Sequence, residues 1–250
     1  MVDDQGEVKM DIKTKVESRR DFPKLIDELG LKTGVELGVN EGGYSDLLLA
    51  ESKLDKLYSI DAWNLDASET MAAPFKAWTV KQVKSAEEIA REVLGKHGKR
   101  SVVIKGNSFD AASQFEDNSI DFIFFDAGHR FSGFALDMIN WWPKIKMGGI
   151  IAGHDYWRRY RYEVMDVANA FLFEHRLIMR MTWAETNHKG GDYSPPSFWA
   201  VKENLSKHEF MNALPAALAD LTAAKEKLAA KGIRVVLPYQ YRDHEEVNGE

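Results

Sequence analysis

Short apolar runs and helically spaced apolar residues alternate along most of this chain. "DFPKLIDELG" (21–30) sets Phe22, Leu25, Ile26 and Leu29 on one helical face and closes on Gly30, a common helix-ending residue. "GVELG" (34–38) then predicts a short buried strand, and "YSDLLLAE" (44–51) the helix after it. Further strands are predicted at "KLYSIDAW" (56–63), "RSVVIKGNS" (100–108), "SIDFIFFDAG" (119–128) and "GGIIAGHDY" (148–156). The run at 119–128 is almost wholly apolar, as a strand covered on both faces should be. Between them, "SAEEIAREVLGKHG" (85–98) is amphipathic, with Ser85 and Glu88 at capping-box spacing. "FALDMINWWPKI" (134–145) and a segment near 162–175 also read as helices.

This strand–loop–helix repeat predicts a parallel sheet with helices on both faces. "LIMRMTWAE" (177–185) and "SFWAVKE" (197–203) follow without a helix between them, which predicts an antiparallel pair at the sheet edge. The fold class is therefore α/β: a doubly wound, mostly parallel, seven-stranded sheet with an antiparallel edge strand. The organisation expected is a polar segment over 1–20, frayed or loosely helical, one domain over 21–203, and a C-terminal helix and tail over 204–250. The Ala- and Leu-rich stretch 215–232 is expected to pack on the body or on another subunit.

In open parallel sheets, ligands bind beyond the carboxyl ends of the strands. Every predicted parallel strand here ends in polar or glycine residues. Gly38, Asn40, Gly42 and Gly43 follow the first, Asp61 closes the second, and Gly106, Asn107 and Ser108 follow the third. Asp126 to His129 follow the fourth, and His154 and Asp155 the fifth. Turn chemistry alone accounts for one such end; five together point to a site.

The loop "VELGVNEGGYSDLLL" (35–49) is neither GxGxxG nor a GK[ST] phosphate loop, which argues against a dinucleotide or a triphosphate. Glu36 and Glu41 would repel a pyrophosphate but tolerate an ammonium and a sulfonium. Asp61, one strand on, is placed to accept hydrogen bonds from two ribose hydroxyls. That combination suits S-adenosylmethionine.

Composition narrows the partners. The 250 residues carry 33 Lys+Arg against 39 Asp+Glu, a net charge of -6, which disfavours a nucleic-acid partner. There are no cysteines, so disulfides, thiolate metal sites and cysteine nucleophiles are excluded together. The N-terminus alternates charges without an apolar core, and no run approaches the roughly 18 apolar residues of a membrane span. A cytoplasmic protein is expected.

"VELGVNEGGYS", "SIDAW", "IDFIFFDAGH" and "WWPKIKMGGIIAGHDYW", in this order, resemble the class I S-adenosylmethionine-dependent methyltransferases. The resemblance is to their bacterial small-molecule branch, with D-x-x-H after strand four and GG-x-x-x-x-HD after strand five, and it covers roughly residues 20–203. It implies the Rossmann-like methyltransferase fold. By resemblance, Gly38 and Gly42 let the backbone approach the cofactor, Glu36 orients the loop and the amino-acid end, and Asn40 lies in the same loop. Tyr44 and Ser45 open the helix that takes the methionine carboxylate, Asp61 takes the ribose, and Asn107 and Ser108 lie near the adenine or serve as a turn and cap. Trp63 lines the adenine pocket or belongs to the core.

The chain also resembles the metal-dependent catechol-type O-methyltransferases. On that resemblance Asp126, His154 and Asp155 would hold Mg²⁺ or another divalent cation, and His129, with Asp126, would serve proton removal from an acceptor hydroxyl. Asp126 also borders the cofactor. A histidine ligand disfavours Mg²⁺ relative to a softer ion.

The acceptor is expected to be a small molecule, selected by 64–84, 186–196 and "YWRRYRYE" (156–163); the last reads either as a solvated helix start whose aromatic rings pack inward or as a binding segment that favours an anionic or sugar-containing acceptor. The competing readings are a non-catalytic S-adenosylmethionine or nucleoside binder of the same fold, and a nicotinamide-dependent oxidoreductase. A homo-oligomer through the C-terminal helix stays open beside a core role for that helix.

Overall fold

A computed structural model describes residues 12–63, 84–158, 163–185 and 194–237. Its sheet comprises β1 (Thr33–Leu37), β2 (Lys56–Asp61), β3 (Ser101–Lys105), β4 (Ile120–Phe125), β5 (Ile145–Gly153), β6 (Arg180–Met181) and β7 (Phe198–Val201). Their spatial order is β3-β2-β1-β4-β5-β7-β6. β1 to β5 are mutually parallel, and β7 runs antiparallel to both of its neighbours. The antiparallel pair is where the sequence placed it, at the edge of a doubly wound sheet. β7 is slotted between β5 and β6, so the rim strand again runs with the first five.

The helices are α1 (Phe22–Glu28), α2 (Gly43–Glu51), α3 (Ala86–Gly95), α4 (Ser108–Ala111), α5 (Phe131–Trp141), α6 (Val164–Glu174) and α7 (Lys207–Ala229). They cover both faces of the sheet because the strand residues alternate. On β4, Phe122 and Phe124 face one way and Ile123 and Phe125 the other, and all four are buried. The first face packs on Phe22, Leu25 and Ile26 of α1, Leu48 and Leu49 of α2, and Leu94 of α3. The second packs on Phe134, Met138 and Trp141 of α5, Leu172 of α6, and Leu221 and Leu228 of α7. Burying each such side chain contributes about 1.5–3 kcal/mol.

Three segments differ from expectation. α7 begins not at Pro215 but at the Ser206–Glu209 capping box, and it carries Pro215 inside. Phe210 and Leu214 are buried on this earlier part, so packing and a good cap offset the hydrogen bond that the proline deletes. α7 packs on its own chain's core, the first of the two placements expected.

β6 shrinks from 177–185 to two residues. After Met181, Thr182 N–H still donates to Ser197 O (2.8 Å), but Trp183 and Ala184 N–H donate to Glu17 O (2.9 and 2.8 Å). Of the 1–20 segment, residues 1–11 lie outside the described residues, and residues 12–20 are held against the body rather than frayed. Lys13 and Thr14 N–H donate to the Glu28 carboxylate (2.6 and 2.8 Å), and Ser18 and Asp21 form a capping box around a short 3-10 turn. Polar composition misleads here because the segment is held by hydrogen bonds rather than by an apolar face.

Candidate functional site

The strand register brings the polar strand ends to one level. Leu37 pairs with both Ile60 and Phe125, and Phe125 with Gly153. Gly38, Asp61, Asp126 and His154 therefore emerge side by side at the carboxyl edge, the place where such sheets bind ligands. Asp61 pairs with Lys105, which carries Gly106, Asn107 and Ser108 to the same edge beyond β2.

The loop after β1 is built around close contacts. Gly38 has φ +87, and a Cβ there would lie 2.1 Å from the Asp126 carbonyl oxygen. Gly42, with φ +83, precedes α2, and a Cβ would lie 3.2 Å from Ala90 Cα of α3. Both glycines thus serve chain-on-chain approach. Gly38→Ala is expected to destabilise the protein by about 3 kcal/mol or more, since it adds backbone strain to a backbone clash. Denaturant unfolding measures this, and a loss below about 1 kcal/mol would contradict the contact.

Asp61 organises the same loop. Its Oδ2 accepts from Val39 and Asn40 N–H, each at 2.8 Å, and its Oδ1 from Trp63 N–H at 2.9 Å. Asn40 sits at φ +50, and its carbonyl accepts from Trp63 Nε1 at 2.8 Å. Trp63 is buried, so its indole braces the loop.

Glu36 lies inside β1, 1% exposed. Burial pushes its carboxyl up to about 8, with Asp126 adding repulsion, while a hydrogen bond from Ser45 pulls the other way. The Ser45 hydroxyl donates to Glu36 and also lies 2.6 Å from Ser59 Oγ. Ser45 therefore supports Glu36 from behind. The Tyr44 ring is buried, and its hydroxyl donates to Arg19 O at 3.1 Å.

Beyond β4 and β5 lies a mixed-charge cluster. His129 Nε2 is 2.6 Å from Asp155 Oδ2 and 3.9 Å from Asp126 Oδ1. His154 Nδ1 is 3.6 Å from both Asp126 Oδ1 and Asp155 Oδ1. Asp155 adopts φ +55, a conformation uncommon for a non-glycine residue. Burial lowers the basicity of both imidazoles, but the carboxylates outweigh it: His129 is raised, and His154 is raised to about 10. Burial also raises Asp155, yet the two histidines hold it well below the usual carboxylate range. One ligand atom each from Asp126, His154 and Asp155 lie within 4.8 Å of one another, a spacing that a single cation could bridge. His154 Nε2 is buried with no hydrogen-bond partner among the described residues.

At the β3 end, Asn107 precedes α4 and Ser108 opens it. Ser108 hydrogen-bonds the buried Asp137 of α5, whose carboxyl burial pushes up to about 7. Of "YWRRYRYE", Tyr156 is fully buried and Trp157 nearly so, while Arg158 pairs with Asp166 at 3.1 Å. Its Arg159 to Tyr162, all but Lys84 of the 64–84 segment, and 186–193 of the last candidate selector lie outside the described residues. Arg19, passed over in the polar N-terminal segment, reaches this site: Nη1 is 3.6 Å from Asp126 Oδ2. Nothing in its local sequence marks it.

This strand order, with a glycine loop after β1 and acids closing β2 and β4, is that of the Rossmann-like methyltransferase fold. Residues 35–156 match the family model described as a methyltransferase domain, and that stretch of the chain is one. Solved structures agree on the fold. A protein assigned as an O-methyltransferase from Klebsiella pneumoniae is 17% identical, with 75% of this chain and 80% of that chain covered and a TM-score of 0.53. The O-methyltransferase from Bacillus cereus in complex with SAH is 17% identical, covering 74% and 80%, TM-score 0.52. One assigned as a caffeoyl-CoA O-methyltransferase from Staphylococcus aureus is 16% identical, covering 79% and 87%, TM-score 0.52. No curated protein sequence matches the chain significantly. Among the described residues, no helix is long and apolar enough to cross a membrane.

Proposed function

We propose that the protein methylates a hydroxyl of a small acceptor, with S-adenosylmethionine as donor and His129 as the base. The observation that carries this reading is the His129–Asp155 contact of 2.6 Å beside the cofactor loop. With Nε2 donating to Asp155, the accepting role falls to Nδ1, and the carboxylate stabilises the imidazolium that forms. The acceptor oxygen attacks the methyl carbon in line, and the carbon–sulfur bond breaks. Its electron pair stays on sulfur, S-adenosylhomocysteine leaves, and the hydroxyl proton passes to His129. Glu36 would hold the methionine ammonium and Asp61 the ribose hydroxyls, with Asn107 and Ser108 on the adenine side.

Asp126, His154 and Asp155 are the residues that would hold a divalent cation. Their donor set fits one, and the imidazole favours an ion softer than Mg²⁺. When bound, such an ion would lower the pKa of the acceptor hydroxyl. Exhaustive chelation is expected to abolish turnover, and Mn²⁺ to restore it better than Mg²⁺. Full turnover after chelation would instead leave His154 as a fixed imidazolium between two carboxylates.

The reading is tested by offering methyl-labelled S-adenosylmethionine with a panel of hydroxyl-bearing metabolites and measuring S-adenosylhomocysteine. Calorimetry that detects NAD binding but neither S-adenosyl ligand would overturn it.

A further inference from the structure

The acids that suit a sulfonium and an ammonium create a difficulty for the rest of the cofactor. S-adenosylmethionine also carries an α-carboxylate, one carbon from the ammonium. Glu36, Asp126 and Asp61 all act electrostatically on this end of the site, and each would repel that carboxylate. Ser45, expected to receive it, spends its hydroxyl on Glu36 and Ser59. The N–H groups that open α2 would remain to the carboxylate, and a cation beside them would offset the repulsion.

Arg19 is placed there. Its guanidinium lies 5.3 Å from the centroid of the Tyr44 ring, at the first turn of α2. Its Nη1 approaches Asp126 at 3.6 Å, an ion pair too long for a hydrogen bond. Its charge also favours the ionised form of the buried Glu36. The side chain is only 11% exposed, which strengthens its pull on an anion.

The backbone that presents it is fixed on two sides. Arg19 N–H donates to Glu185 Oε1 at 2.9 Å, and the same oxygen accepts from Thr182 Oγ1 and Ser197 Oγ. Glu185 is itself 3% exposed. On the other side, Tyr44 Oη donates to the Arg19 carbonyl. A cation held this firmly loses little freedom when it binds an anion.

We propose that Arg19 binds the α-carboxylate of S-adenosylmethionine, so that the segment before α1 forms one wall of the cofactor site. The proposal rests on S-adenosylmethionine being the cofactor that this site takes. Arg19 and Glu36 then divide the zwitterion between them, one for each charge.

Decarboxylated S-adenosylmethionine separates this role from a structural one, because it lacks the carboxylate alone. Calorimetry should show wild type binding S-adenosylmethionine about 10- to 100-fold more tightly than the decarboxylated form, the usual range for a charge-assisted pair. Arg19→Gln should bring that ratio near one while leaving affinity for the decarboxylated form within about threefold. Arg19→Lys, which keeps the charge but loses the planar fork, should restore part of the ratio and serves if the Gln variant folds poorly. Equal loss for both ligands would mean that Arg19 only ties its segment down, and an unchanged ratio would place the carboxylate elsewhere; either result overturns the proposal. Failure of wild type to bind either ligand would instead remove the cofactor assignment.

Discussion

His129→Ala is expected to lower kcat by about 10²- to 10⁴-fold, the range that a positioned general base supplies. Affinity for S-adenosylhomocysteine should stay within about threefold, because His129 stands beyond β4 while Glu36, Asp61, Asn107 and Ser108, the proposed cofactor contacts, lie on β1 and at the ends of β2 and β3. The substitution removes the closest partner of Asp155, at 2.6 Å, yet His154 Nδ1 still lies 3.6 Å from that carboxylate. The fold should therefore survive with a modest fall in melting temperature. His129→Gln keeps a hydrogen-bonding side chain but no basic nitrogen, so it should be as inactive while melting closer to wild type. Turnover of either variant within threefold of wild type would remove His129 from the chemistry.

Glu36→Gln is expected to act on binding and on the pH dependence of stability together. In the free protein the carboxyl is pushed from 4.5 to about 8, mainly by burial. A folded-state value above the unfolded one means that the folded protein holds the proton more tightly. Stability from this group is fully present below pH 4.5 and is lost as pH rises through about 8. The loss amounts to at most about 5 kcal/mol, since ten-fold in proton affinity is about 1.4 kcal/mol. Glu36→Gln carries no such charge, so it should lack this slope and exceed wild type in stability at pH 8 to 9. Denaturant melts across pH 5 to 9 measure both curves, and parallel curves would show that Glu36 is already ionised in the free fold.

The same carboxyl should ionise when the cofactor ammonium arrives. Binding of S-adenosylmethionine near pH 7 is then expected to release close to one proton, visible as a buffer-dependent enthalpy. Glu36→Gln should bind at least tenfold more weakly and release none.

Much of this arrangement is readable from residue order. Apolar runs such as 119–128 announce buried parallel strands, and the residues that close them, Asp61, Asp126 and His154, fall side by side because parallel register aligns strand ends. The capping box at Ser85 and Glu88 also forms as spaced. What stays hidden depends on partners distant in the chain. Arg19 is fixed by Glu185, 166 residues on, and no local pattern foreshadows that contact. Ser45 sits where its hydroxyl could serve either a ligand or Glu36, and only the position of Ser59 one strand over shows the second. The start of α7 is misread because a proline usually opens a helix, whereas here the earlier Ser206 cap and the buried Phe210 carry the helix through it.

The pairing of Glu17 with Trp183 and Ala184 also has a consequence for self-association. A sheet rim with open amides is a template for another chain's strand. Here the rim strand is two residues long, and the next amides are turned onto the protein's own leading segment. One stretch of chain thus closes off the amides beyond β6 at this edge and also delivers Arg19 to the site.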